Sequence, residues 1–295
     1  MEFDDQHVDV SGVDDQRGRT GGLGRGPMVA GGGGIVAVIV TVLIMLLGGG
    51  GGSLPTTGAL DQGTGTSSGV VSDLQTRCNT AGAIDTYDDC YLAKVYNETN
   101  EVWAAEFNRL GESFRQPTLT FYDGYVQTAC GPASAQVGPF YCPADEHIYI
   151  DIGFLGQLQE QVGAQGRYAQ AYILAHEYGH HLQTVLGIES QVRRAQQANP
   201  SQANALSVRM ELQADCLAGV WGNLANSAGN VTISAAEAAQ AQSAAAAVGD
   251  DRLQAQSGGP VNQETWTHGS AAQRQTWYTT GYRSGDINRC NTFSS

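Results

Sequence analysis

The chain opens on a polar, Gly-rich and acidic stretch, residues 1–27, in which apolar positions show no period; this predicts a disordered tail. Met28–Leu47 follows as 20 residues without a charge, long enough at helical rise to cross a hydrocarbon core of roughly 30 Å. A transmembrane helix is expected there in preference to a cleaved signal peptide, because the start is long and acidic and no small-residue cleavage site follows. Residues 48–76 are rich in Gly, Ser and Thr and read as a flexible linker. The folded domain is then expected over 77–295.

Within that domain the periodicity is mostly helical. Leu92, Val95, Tyr96, Val102, Trp103, Phe107 and Leu110 recur at 3-and-4 spacing and predict a helix over Cys90–Leu110, with Pro117 beyond its end. Thr118–Tyr122 and the alternating His147–Ile152 predict strands, the second offering an edge to which an extended peptide can add. A long helix is predicted from about Arg167 to Leu186, stopped by Gly187, with Gly179 inside it implying a close neighbour. Another is predicted from a Ser201 cap to about Ala225, with Met210, Ala214, Leu217 and Trp221 on one stripe. Capping boxes at Ser234–Glu237 and Ser270–Gln273 open two more, ending at Gly249 and near Gly281. The expected fold class is mainly α with a small β-sheet, α+β.

Charge and cysteine content narrow the setting. The net charge is −14 and Lys94 is the only lysine, so no basic patch exists to neutralise phosphates and nucleic acid is excluded as a partner. Arg17, Arg19 and Arg25 precede the apolar run and no basic residue follows it until Arg77. That asymmetry predicts a single-pass membrane protein with a cytoplasmic N-terminus and an extracytoplasmic domain. Six cysteines with no C-x-x-C pair suit disulfides in an oxidising compartment. Their spacing admits many pairings, of which Cys130–Cys142, closing a Gly/Pro-rich loop, is the simplest.

The candidate chemistry lies in A-Y-I-L-A-H-E-Y-G-H-H-L-Q, Ala171–Gln183. His176 and His180 stand one above the other on a helix and can grip one metal ion, with Glu177 beside them as general base for a water that the metal activates. A catalytic zinc needs a third protein ligand, and Glu211 on the next helix is the candidate. Asp215, on the same face as Glu211, is expected to accept the N–H of a ligating histidine. His268, just ahead of a helix and outside any apolar pattern, is the candidate donor to a developing oxyanion, with Tyr278 and Tyr282 as weaker ones. His181 points about 100° away from His180 and is expected to pack.

These residues sit in P-F-Y-C-P-A-D (139–145), I-Y-I-D (148–151), A-Q-A-Y-I-L-A-H-E-Y-G-H-H-L-Q (169–183), E-L-Q-A-D-C-L-A-G-V-W (211–221) and T-H-G-S-A-A-Q-R (267–274). Through these motifs, from about Cys78 to Phe293, the chain resembles the bacterial putative neutral zinc metallopeptidase family. The resemblance implies a zincin-like fold with one Zn²⁺ per chain held by His176, His180 and Glu211, Glu177 at the metal, and a peptide or protein substrate. It also implies a Cys216–Cys290 bridge, supports Cys130–Cys142, and leaves Cys78 and Cys90 to each other. The leading expectation is thus a membrane-anchored zinc peptidase, attached through Met28–Leu47. Its alternatives are a metal-stabilised envelope binding or assembly module and a zinc amidase acting on cell-wall peptides.

Overall fold

The computed structural model describes residues 1–18, 68–163, 166–258 and 260–294. In chain order the elements are strands β1 (Glu2–Phe3) and β2 (Val13–Asp15), then helices α1 (Ser68–Cys78), α2 (Ala83–Thr86) and α3 (Asp88–Leu110). Next come strands β3 (Thr118–Phe121), β4 (Tyr125–Thr128), β5 (Gly131–Ser134), β6 (Phe140–Cys142) and β7 (His147–Ile150). Helices α4 (Ile152–Val162), α5 (Arg167–Val185), α6 (Ile188–Ala198) and α7 (Ala203–Ala228) follow, then β8 (Val231–Thr232), α8 (Ala235–Ala247), α9 (Asp250–Gln256) and α10 (Ala271–Ser284). Helices predominate and the strands form small sheets, so the class is α+β.

The N-terminus departs from expectation. Residues 1–18 are part of the fold: β1 pairs with β8, and β2 lies parallel to β3. Val8, Val10 and Val13 are buried, and side-chain amides hold the intervening backbone. Asn79 and Gln75 both bond Val8, and Asn97 takes the N–H and C=O of Asp9. Arg17 is bound to Asp15 and Asp89. These valines alternate with acids over too few positions to show a period, which is why the stretch reads as a tail.

This overturns the predicted topology. A single span between residues 18 and 68 would put β2 and β3 on opposite sides of a bilayer, yet they share a sheet. Among the described residues no helix is long and apolar enough to cross a membrane. Met28–Leu47 and most of the expected linker lie outside the described residues; the last part of that linker, from Ser68, is already α1.

The main sheet has the order β2-β3-β7-β6, with β2, β3 and β7 parallel and β6 antiparallel to β7. β7 is therefore interior, not the expected edge, and β6 occupies that place. β7 ends at Ile150 because Asp151 turns the chain, its side chain accepting the Phe154 N–H as the N-cap of α4.

Helices α5, α7, α8 and α10 pack against one another beside this sheet, around Tyr168, Tyr178, Trp221 and Tyr278. Glycine permits the closest crossings. A Cβ on Gly179 of α5 would lie 3.0 Å from Ala214 Cα of α7. A Cβ on Gly281 of α10 would strike the Cys216 carbonyl of α7, and one on Gly219 the Tyr278 carbonyl. Gly281 is thus a contact inside α10, not its end; the helix runs to Ser284 and Gly285 closes it. Both predicted capping boxes are present, at Ser234 and Ser270. Ser201 caps nothing: it sits in a 3₁₀ turn, Pro200–Gln202, and bonds Asn199.

Disulfides join Cys78 to Cys90, Cys130 to Cys142 and Cys216 to Cys290, tying α1 to α3, the β4–β5 turn to the end of β6, and α7 to the C-terminal turn. Three such bonds suit an oxidising compartment.

Candidate metal centre

The Gly179–Ala214 crossing sets α5 and α7 so that their polar faces meet. His176 and His180 look out from one turn of α5, their rings 4.9 Å apart and nearly perpendicular. Across from them Glu211 of α7 reaches both: His176 Nε2 is 3.2 Å from Oε2, and His180 Nε2 is 3.5 Å from Oε1. One donor atom from each of the three residues lies within 4.8 Å of the others. Tetrahedral zinc with Zn–N and Zn–O bonds of about 2.0–2.1 Å spaces its ligands about 3.3 Å apart. The donor set and its spacing therefore fit that ion. The other group of possible donors among the described residues contains Cys78 and Cys90, whose sulfurs are joined in a disulfide.

His176 is steered from behind. Asp215, fully buried one turn along α7 from Glu211, lies 2.9 Å from His176 Nδ1. Arg274 of α10, itself buried, grips Asp215 through Nε at 2.7 Å and Nη2 at 2.8 Å, and Tyr172 donates its hydroxyl to the same carboxylate. Burial works against the Asp215 charge, but Arg274 and His176 outweigh it and hold its pKa below the ordinary value. An ionised Asp215 only accepts, so His176 carries its proton on Nδ1 and turns Nε2 towards Glu211.

The titration of the site without metal follows from this packing. Burial depresses His176, but the charge and hydrogen bond of Asp215, with Glu211, override it and push its pKa up to about 10. Burial would raise Glu211, yet the histidines hold it well below the usual carboxylate range. His180 is lowered, chiefly by burial. A positive charge is stabilised between the two helices, and a proton on His176 supplies it when no metal does.

Glu177 is buried, with burial pushing its pKa up to about 8. The Tyr141 backbone N–H of β6 donates to its carboxylate, while Oε2 is buried without a hydrogen-bond partner. An orphaned buried acceptor beside three metal-ligand atoms fits a water in that position.

His268 is brought near the same group, close enough for its charge to act on Glu211. Its loop wraps the Asp250 carboxylate: Oδ2 accepts the N–H groups of Thr267, His268 and Gly269, and Oδ1 lies 3.0 Å from His268 Nδ1. Tyr278 packs in the core, against Tyr172 and Tyr282 and bonded to Tyr168. His181 stands apart, with Nε2 donating to the Arg115 carbonyl and Nδ1 facing the Tyr141 hydroxyl.

Sequence reasoning did not assign Tyr172, Arg274, Asp250 or Tyr141 to the site. Tyr172 precedes His176 by one helical turn, so the spacing that marks the two histidines also marks it. Arg274 lies in a quoted motif with no role attached. Asp250 and Tyr141 carry no local signal, because they meet the site through loop wrapping and sheet order.

The family model described as "Putative neutral zinc metallopeptidase" matches residues 1–293 of this chain. The "Uncharacterized protein YpfJ" of Escherichia coli (strain K12) is 45% identical over 204 residues, 69% of this chain and 70% of that protein. The "Uncharacterized protein Rv2575" of Mycobacterium tuberculosis (strain ATCC 25618 / H37Rv) is 43% identical over 228 residues, 74% of this chain and 75% of that protein. No solved structure matches.

Proposed function

Since the chain belongs to the putative neutral zinc metallopeptidase family, we propose that it is a zinc-dependent peptidase. In this reading it holds one Zn²⁺ through His176, His180 and Glu211 and hydrolyses peptide bonds with Glu177 as general base. The observation that carries this is the orphaned Glu177 Oε2 beside a group of three donors among the described residues. A closed structural site takes four protein ligands and has no use for a buried base; an open one leaves a position for water.

When bound, zinc supplies a Lewis acid that lowers the pKa of water to about 7 and polarises a carbonyl. The protein's own groups do the rest. Glu177, kept from drifting by the Tyr141 N–H, takes a proton from the attacking water and delivers it to the leaving amine. Asp215 and Arg274 keep His176 in the tautomer that presents Nε2. His268, with Nδ1–H directed at Asp250, would donate from Nε2 to the oxyanion that develops at the scissile carbonyl in its doubly protonated form, the imidazolium charge facing the Asp250 carboxylate. β6 has a strand neighbour on one side only among the described residues, and an extended peptide added along its outer edge would lie beside Glu177. A helix carrying the histidine pair behind a sheet with an antiparallel edge strand is consistent with a zincin-like fold.

The test is metal analysis of the purified protein together with cleavage of a peptide library. One zinc per chain is expected, with cleavage that chelator abolishes and added zinc restores. Glu177→Gln should keep its zinc and lose roughly 10²–10⁴-fold in turnover, the worth of a positioned acid–base group. Undiminished cleavage by that variant would sink the proposal.

A further inference from the structure

Two backbone carbonyls orient a pair of buried amides behind His180. Gln183, fully buried three residues beyond it on α5, sets its carboxamide 2.9 Å from His180 Nδ1. The other end of that amide lies 2.8 Å from the Met210 carbonyl and 3.1 Å from the side chain of Gln213 on α7. Gln213 in turn ends 3.0 Å from the carbonyl of Cys290. A carbonyl oxygen only accepts, so the amide nitrogens of Gln183 and Gln213 must face Met210 and Cys290. Gln213 Oε1 then receives Gln183 Nε2, and Gln183 Oε1 is left facing the imidazole. Flipping either amide sets oxygen against oxygen, so one arrangement satisfies every group. In it the His180 proton is on Nδ1, and the Nε2 lone pair is bare towards Glu211.

We infer that Gln183 and Gln213 are positioning residues for the metal, forming a relay from the Cys290 carbonyl to His180 that fixes the ligating tautomer. This rests on the metal-site reading above. The relay is separate from the Asp215–Arg274 pair that steers His176, and it starts from a different part of the chain. The two are nonetheless joined covalently, because Cys290 is bonded to Cys216, the residue after Asp215. The C-terminal turn is thus the outer wall of the metal site.

The test combines ¹⁵N-histidine NMR of the zinc-free protein with zinc affinity measured by chelator competition, the His180 signals being identified as those lost in His180→Asn. Wild-type His180 should show the neutral Nδ1–H tautomer before any metal is added. Gln183→Leu should lose that preference and bind zinc about 10–100-fold more weakly. Gln183→Glu, which keeps an acceptor facing Nδ1 but turns its second oxygen on the Met210 carbonyl, should keep the Nδ1–H tautomer while losing stability, a split between tautomer and stability that a purely structural role would not give. An Nε2–H tautomer in the wild type, or wild-type affinity in Gln183→Leu, overturns the relay. Should Gln183→Leu fail to fold, Gln213→Leu serves in its place: an unmixed tautomer with undiminished affinity overturns the relay there too. A wild-type protein that binds no zinc refutes the metal-site reading, and the tautomer of the zinc-free protein still decides the relay.

Discussion

At the residue scale the site is governed by charges that cannot escape to water. Asp215 is fully buried and Arg274 is the cation that matches it. Arg274→Met should destabilise the protein by about 3–5 kcal/mol in urea unfolding, because it leaves a buried carboxylate unpaired. Asp215→Asn/Arg274→Met together should cost less than that single change, since no lone charge is then left. The zinc-free protein should also respond to alkali. The folded-state pKa of His176, about 10, lies above the ordinary histidine value of 6.5. The stability it contributes is therefore complete below pH 6.5 and is lost as pH rises through about 10. Urea melts in chelator at pH 6 and pH 10 would show the loss, and a stability unchanged or higher at pH 10 would contradict it. Zinc competes with that same proton, so its affinity should rise over the same range.

At the element scale, what matters is how closely α5 and α7 approach. Gly179→Ala gains about 1 kcal/mol of helix propensity but drives a methyl against the Ala214 backbone, an overpacking cost of about 1–3 kcal/mol. The two offset in part, so overall stability should fall by about 0–2 kcal/mol. Glu211, however, moves off the histidines, and zinc affinity should fall by about tenfold, a figure set against known effects of disturbing the groups behind metal ligands. Calorimetry beside a chelator titration separates the two effects. Periodicity placed α5 and α7 to within a few residues because each is long enough to repeat its pattern over several turns. It missed β1, β2 and β8, which are two or three residues long and are defined by their partners. It also placed β7 at an edge, since strand order is a property of the sheet and not of any one strand.

At the scale of the whole molecule the N-terminal segment is a structural part. Deleting residues 1–15 exposes the faces that Val8, Val10 and Val13 cover and strips β2 from β3. At about 1.5–3 kcal/mol per buried valine, a loss on the order of 5 kcal/mol is expected in chemical denaturation. A deletion variant as stable as the full chain would show that the segment does not pack as described. Metal removal should act more gently. The candidate ligands stand on helices already packed into the core and closed by Cys216–Cys290, so chelation should lower Tm without abolishing the cooperative transition.

The sequence by itself determined the first half of the candidate site: His176, Glu177 and His180 share one helical turn, and a periodicity of 3.6 residues brings them together without help from the rest of the chain. It determined the helical class and the capping boxes for the same reason, because those interactions span three or four residues. Only the tertiary structure decided that Glu211 reaches both histidines, that Arg274 and Asp250 hold the groups behind them, and that Val13–Asp15 join the same sheet as β3. Those contacts join positions tens to more than a hundred residues apart, and their geometry comes from helix crossings and sheet order, which no local window of sequence contains.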